Sequence, residues 1–246
     1  MKMSYERNTK PKVGIFTLSS CEGCIVQILN LEETLLEILE HIDLVDCRVL
    51  GVKHAYDKLD IAFVEGCVMS KEEEEEIKKI REKTKILVAL GDCACSGGKF
   101  MMKDFEISEL RVSLPGGREV FRADPIDKFV KVNYYLRGCP INREEFVELV
   151  KDLLLLRLFK ESPLSVCSEC ILREQECLID QGYPCLGPIT RGGCNAVCPY
   201  NNKICYGCRG LSEDANIDSL INIFKRRGIP VPPYLLSLKK LVISKR

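Results

Sequence analysis

The chain is 246 residues long and 46% apolar, enough to bury a core in one large domain or two smaller ones. Its 36 basic and 36 acidic side chains cancel, which excludes a basic, phosphate-seeking surface and with it nucleic acid as the main partner. No apolar run has the length of a membrane span, and the polar start MKMSYERNTK lacks a secretion-signal core and a twin-arginine pair, so a cytoplasmic protein is expected.

In chain order, KVGIFTL (12–18) predicts a buried strand. Residues 22–40 predict one helix, from the near-helical spacing of Ile25, Ile28, Leu29, Leu35, Leu36 and Leu39. LVDCRVL (44–50) and LDIAFVEG (59–66) read as strands. Ser70 suits the N-cap of a helix over 70–83, and the glutamates after it favour the positive first turn; the five-Glu run reads as a solvated face. KILVALG (85–91) is another buried strand. From Lys99 to Val130 the periodicity weakens around a Pro-Gly-Gly turn, which suggests a long, partner-contacting insertion with Phe100, Met101 and Met102 as packing residues. VNYYLRG (132–138) predicts a strand and REEFVELVKDLLLLRLF (143–159) a long helix. This alternation implies an α/β, flavodoxin-like, doubly wound parallel sheet covered on both faces, assigned to residues 1–160. Residues 161–246 form a second, smaller region of low regular structure, with one helix over 214–228 and a docked, basic-ended tail after it.

Cysteine is the outlier, with 15 copies against two histidines, His41 and His54, which lie outside the cysteine-rich motifs. Disulfides need an oxidising compartment, and the odd count would leave one thiol over, so metal is the default reading for clustered cysteines. Three predicted strand ends carry thiols: Cys21 and Cys24 after the first, Cys93 in GDCACSGG, and Cys139 in RGCPIN. Ligands of an open parallel sheet sit beyond the carboxyl ends of its strands. The fold should therefore gather these four thiolates in one crevice, where Gly91, Gly97 and Gly98 let backbone approach an iron–sulfur core. Between 167 and 208 the spacing is Cys167-x2-Cys170-x6-Cys177-x7-Cys185, then Cys194-x3-Cys198-x6-Cys205-x2-Cys208. Eight thiolates make two sets of four, for iron–sulfur clusters or tetrahedral zinc. Cys198-Pro199 matches a ferredoxin-type ending and tilts the choice toward iron–sulfur. The expectation is that this segment cannot build an ordinary apolar core and that metal must organise it. Twelve ligands and three clusters describe an electron path. No G-x-S-x-G, P-loop, G-x-G-x-x-G or nucleophile–His pairing is present, so the chain reads as an electron-transfer subunit needing a catalytic partner.

CEGC (21–24), VEG (64–66), GDCACSGG (91–98), GCP (138–140) and CLIDQGYPCLGPITRGGCNAVCPYNNKICYGCRG together resemble the small subunit of nickel–iron hydrogenases, above all the cytoplasmic multi-subunit enzymes of sulfhydrogenase and methanogen type. The resemblance implies a proximal 4Fe–4S cluster on Cys21, Cys24, Cys93 and Cys139. It implies a distal one on Cys167, Cys170, Cys177 and Cys185, with Cys167 where relatives carry His. It implies a medial one on Cys194, Cys198, Cys205 and Cys208, with Cys198 as fourth thiolate; an interleaved, ferredoxin-like exchange of ligands between these two sets is the alternative. The implied partners are a nickel–iron large subunit and a flavin- or iron–sulfur-containing subunit that reduces a soluble carrier. Ile141 replaces the second Pro of the family's GCPP. Cys93 is favoured over its neighbour Cys95, Cys47 and Cys67 are read as buried non-ligands, and Glu65 as a strand-end carboxylate or a residue near the proximal cluster. Two rival readings are the same relay beside a large subunit without nickel, and a zinc-binding assembly module.

Overall fold

The structure is a computed structural model that describes residues 9–98, 112–114, 118–120, 123–233 and 235. Its centre is a six-stranded sheet built from β1 (Lys12–Thr17), β2 (Asp43–Cys47), β3 (Val52–Lys53), β4 (Leu59–Glu65), β5 (Thr84–Leu90) and β8 (Tyr134–Leu136), in the order β3-β2-β1-β4-β5-β8. All pairings are parallel except β2 with β3, so the doubly wound order carries one antiparallel edge strand that the sequence did not announce. The central strands β4 and β5 are buried along nearly their whole length, as strands covered on both faces must be.

Side chains alternate between the two faces. Ile61, Phe63, Val88 and Leu90 join α1 (Gly23–Leu29) and α5 (Arg143–Leu154) in one core, where the Phe63 and Phe146 rings pack 5.4 Å apart. Ala62, Val64, Leu87 and Ala89 face α3 (Lys71–Lys83) and α4 (Gly91–Ser96) in the other. The capping prediction for α3 holds: the Ser70 hydroxyl accepts the Glu73 N–H at 3.2 Å.

Four expectations need correction. The single helix over 22–40 is two, α1 and α2 (Glu33–His41), because the chain turns at Asn30–Glu32 with Glu32 at φ +51°. The strand over 44–50 stops at Cys47 and continues as a short 3₁₀ turn, Arg48–Leu50. The helix over 143–159 ends at Leu154, where Leu156 adopts φ +57° and the following leucines are exposed rather than buried. The insertion contains a hairpin, β6 (Val112–Leu114) with β7 (Arg118–Val120); Phe100, Met101 and Met102 lie outside the described residues.

The cysteine-rich region also departs from expectation, because it has an apolar core of its own. It contains α6 (Val166–Leu172), α7 (Val197–Tyr200) and α8 (Ile217–Arg226). The inner face of α8, with Ile217, Leu220, Ile221 and Phe224, packs on Val166, Leu178, Ile179, Leu186 and Ile189. The missing apolar residues come from beyond the last cysteine. Leu235 of the tail is buried in the same cluster, and residues 236–246 lie outside the described set. Among the described residues no helix is long and apolar enough to cross a membrane.

Candidate metal centres

The three strand ends meet as the topology requires. Cys24 opens α1 immediately after β1, and its backbone N–H donates to the Glu65 carboxylate at the end of β4 at 3.0 Å; Ile25 N–H donates to the other oxygen at 3.1 Å. Glu65 thus satisfies orphan donors in the first turn of α1 and fixes where Cys24 points. It is 2% exposed, and burial raises its pKa while these N–H groups pull it down. Cys93 lies in α4, directly after β5, and Cys139 follows β8 by way of Arg137 and Gly138 and precedes a cis Cys139–Pro140 bond. The thiols of Cys21 and Cys139 register electrostatically on Cys93, and Cys93 registers on Cys24.

Backbone shape makes the room. Gly91 sits at φ +77°, where a Cβ would strike the Cys24 sulfur, and at Gly98, φ +67°, one would lie 2.9 Å from the Cys93 sulfur. Cys95 points away: its thiol is enclosed in the core and faces the Ala89 carbonyl at 3.5 Å. Cys47 is likewise core. Cys67 is fully buried, with its thiol 3.4 Å from the Ser19 carbonyl, and it neighbours Cys93.

In the second region Cys167, Cys170, Cys177 and Cys185 form one mutually interacting group. A Cβ on Gly187 would lie 3.2 Å from the Cys167 sulfur and 3.6 Å from that of Cys185. Cys194, Cys205 and Cys208 form another group. Cys198 registers on Cys185, across the division between the two sets, and the Cys205 N–H donates to the Cys185 sulfur at 3.3 Å. The two groups are therefore adjacent. Cys208 lies at the junction with the sheet, near the Cys139 backbone and Asp92.

Two side chains that position this region were not anticipated. Glu169 of α6 accepts N–H groups from Gly193 and, at 3.0 Å, Ala196, and receives the Cys194 thiol at 3.8 Å. Arg209 joins Gly192, Arg137 and Glu145 from one buried guanidinium. Neither has a local motif, because their partners lie 17 to 72 residues away.

Burial drives the thiol pKa values up, to about 12 at Cys93, Cys167, Cys205 and Cys208. At Cys93 burial is the largest cause, and the neighbouring Cys67, Asp92, Cys139 and Cys21 add to it. An electron-rich, half-buried thiol set of this kind suits a positively charged inorganic core, which would offset the desolvation of the thiolates. The Cys205 N–H already aims at the Cys185 sulfur, the kind of donor that supports charge on cluster-bound sulfur. Among the described residues no three His, Cys, Asp or Glu side chains close on a single ion.

Comparison with known proteins agrees. The family model described as NADH ubiquinone oxidoreductase, 20 Kd subunit, matches residues 21–153. Sulfhydrogenase 2 subunit delta of Pyrococcus furiosus is 33% identical over 87% of this chain and 92% of its own length. A subunit of the vhu F420-non-reducing hydrogenase of Methanocaldococcus jannaschii is 30% identical over 82% of each. A chain of an NAD+-reducing [NiFe]-hydrogenase structure superposes with a TM-score of 0.51 at 27% identity, over 62% of this chain and 95% of that one. A Ni-Fe-Se hydrogenase from Desulfomicrobium baculatum, at 17% identity and a TM-score of 0.57 over 88% of this chain and 99% of its own, shares the fold. The chain belongs to the NADH ubiquinone oxidoreductase 20 kDa subunit family and is, within it, a nickel–iron hydrogenase small subunit with an electron-transfer role.

Proposed function

We propose that the chain holds three 4Fe–4S clusters and relays electrons between the nickel–iron site of a large subunit and a carrier-reducing partner that contains flavin or iron–sulfur centres, in a cytoplasmic complex. Cys21, Cys24, Cys93 and Cys139 hold the proximal cluster. Cys194, Cys198, Cys205 and Cys208 hold the medial one, and Cys167, Cys170, Cys177 and Cys185 the distal one. The first domain, 1–160, carries the proximal site, and the second, 161–246, the other two. Such clusters, when bound, supply reversible one-electron oxidation and reduction.

The chain's own residues supply the rest. Burial of Cys24, Cys185 and Cys205 keeps water from the sulfurs. The Cys205 N–H at the Cys185 sulfur stabilises negative charge there and so tunes potential. Glu65 holds the Cys24 turn, and Glu169 the Cys194 loop.

The observation that carries this reading is the meeting of Cys21, Cys24, Cys93 and Cys139 at the carboxyl edge of one parallel sheet, although 69 and then 46 positions separate the last three in sequence. Anaerobic purification of the native complex, with analysis for iron, inorganic sulfide and nickel, tests it. Iron and sulfide for three cubane clusters with nickel in the co-purifying large subunit are expected. Zinc without sulfide would end the proposal, and sulfide without nickel would move the relay to a different large subunit.

A further inference from the structure

We propose that Arg209 is a positioning residue that sets the spacing of the proximal and medial sites by clamping the backbone beside three cysteines. This rests on the cluster reading above. Arg209 is 1% exposed. Its Nε donates to the Gly192 carbonyl at 2.6 Å, one Nη to the Glu145 carboxylate at 2.7 Å, and the other to the Arg137 carbonyl. Gly192 lies two residues before Cys194, Arg137 two before Cys139, and Arg209 itself follows Cys208. One rigid fork therefore ties together the chain next to Cys139 of the sheet and Cys194 and Cys208 of the second region. Where the fork closes, Cys208 neighbours the Cys139 backbone.

Shape and chemistry both favour this reading over plain stabilisation. Gly193 sits at φ +105°, and a Cβ there would lie 2.9 Å from the Arg209 guanidinium carbon, so the loop leaves space for the fork. A guanidinium presents five donors in one plane, and three different elements use them here; an ammonium is a point charge and cannot reproduce that pattern. Buried ion pairs contribute little net stability compared with apolar replacements of equal volume, so energy alone gives weak reason to bury this one. Its distinctive product is a fixed distance between Cys139 and Cys208.

The test uses the full complex, purified without oxygen, carrying Arg209→Lys, with Glu145→Gln as a second variant. Iron and sulfide are measured per complex, the magnetic interaction between reduced centres is read by electron paramagnetic resonance, and carrier-linked hydrogen oxidation is normalised to bound iron. The expected result for R209K is near wild-type iron and sulfide, loss or marked weakening of the interaction signal, and a several-fold fall in turnover per iron. E145Q should show the same change more weakly, and it decides the matter if R209K does not assemble. Wild-type interaction and turnover per iron in the assembled variants would overturn the proposal, as would activity lost only in proportion to iron. Absence of iron and sulfide in the wild-type complex would instead overturn the cluster reading itself.

Discussion

At the scale of single residues, Cys93 and Cys95 make the sharpest contrast. They are two positions apart, and spacing alone leaves either as ligand. The structure sends Cys93 toward Cys21, Cys24 and Cys139, and Cys95 into the core behind the sheet. Cys93→Ser should therefore deplete iron at the proximal site and stop carrier-linked activity. Cys95→Ala should keep full iron content and lower thermal stability by about 1 kcal/mol, as ordinary core truncations do; iron analysis beside a melting curve checks both. Gly98→Ala places a methyl group 2.9 Å from the Cys93 sulfur at φ +67°, which should cost roughly 1–2 kcal/mol of backbone strain and loosen that ligand. The thiols also give a pH prediction. In the metal-free chain, folding raises the pKa of Cys93, Cys167, Cys205 and Cys208 from 9.0 to about 12, so the native state holds more protons than the unfolded state between those values. Stability of the apo form should be level below pH 9 and fall as pH rises toward 12, and metal loading, which needs thiolates, should remove this loss. Urea titrations of apo and reconstituted protein, from about one unit below the unfolded thiol value to about two above it, would show it.

At the scale of elements, the central strands and α3 were legible because their signals are local: continuous apolar runs for β4 and β5, and Ser70 with its glutamates for α3. Ser70→Ala should cost about 1 kcal/mol through the lost cap, read as a shift in the denaturation midpoint. Errors gathered where backbone conformation overrides side-chain spacing. Glu32 and Leu156, both at positive φ, end helices whose apolar periodicity continues past them. The edge strand β3 is two residues long and has no pattern to read. The largest misreading concerned the second region, judged coreless because its apolar partner is α8, downstream of every cysteine. Phe224 is completely buried there, so Phe224→Ala should destabilise this region by roughly 3–5 kcal/mol. Hydrogen exchange should then rise across residues 166–229 while β4 and β5 stay protected.

At the scale of the whole molecule, the sequence revealed that distant thiols would converge, since doubly wound topology places the ends of β1, β5 and β8 along one edge. It did not reveal how the second region docks against the sheet. That junction depends on Arg209, Glu145 and the Arg137 carbonyl, a set with no shared motif and up to 72 residues between members. The order of elements has a further consequence for biosynthesis. All twelve proposed ligands precede α8 along the chain, and α8 completes the apolar core on which Cys170, Cys185, Cys194 and Cys205 pack. A ribosome extrudes those four sulfurs before it makes the helix they pack against. A chain cut before Ile217 lacks that packing, so its thiols should be oxidised by air faster than those of the whole chain.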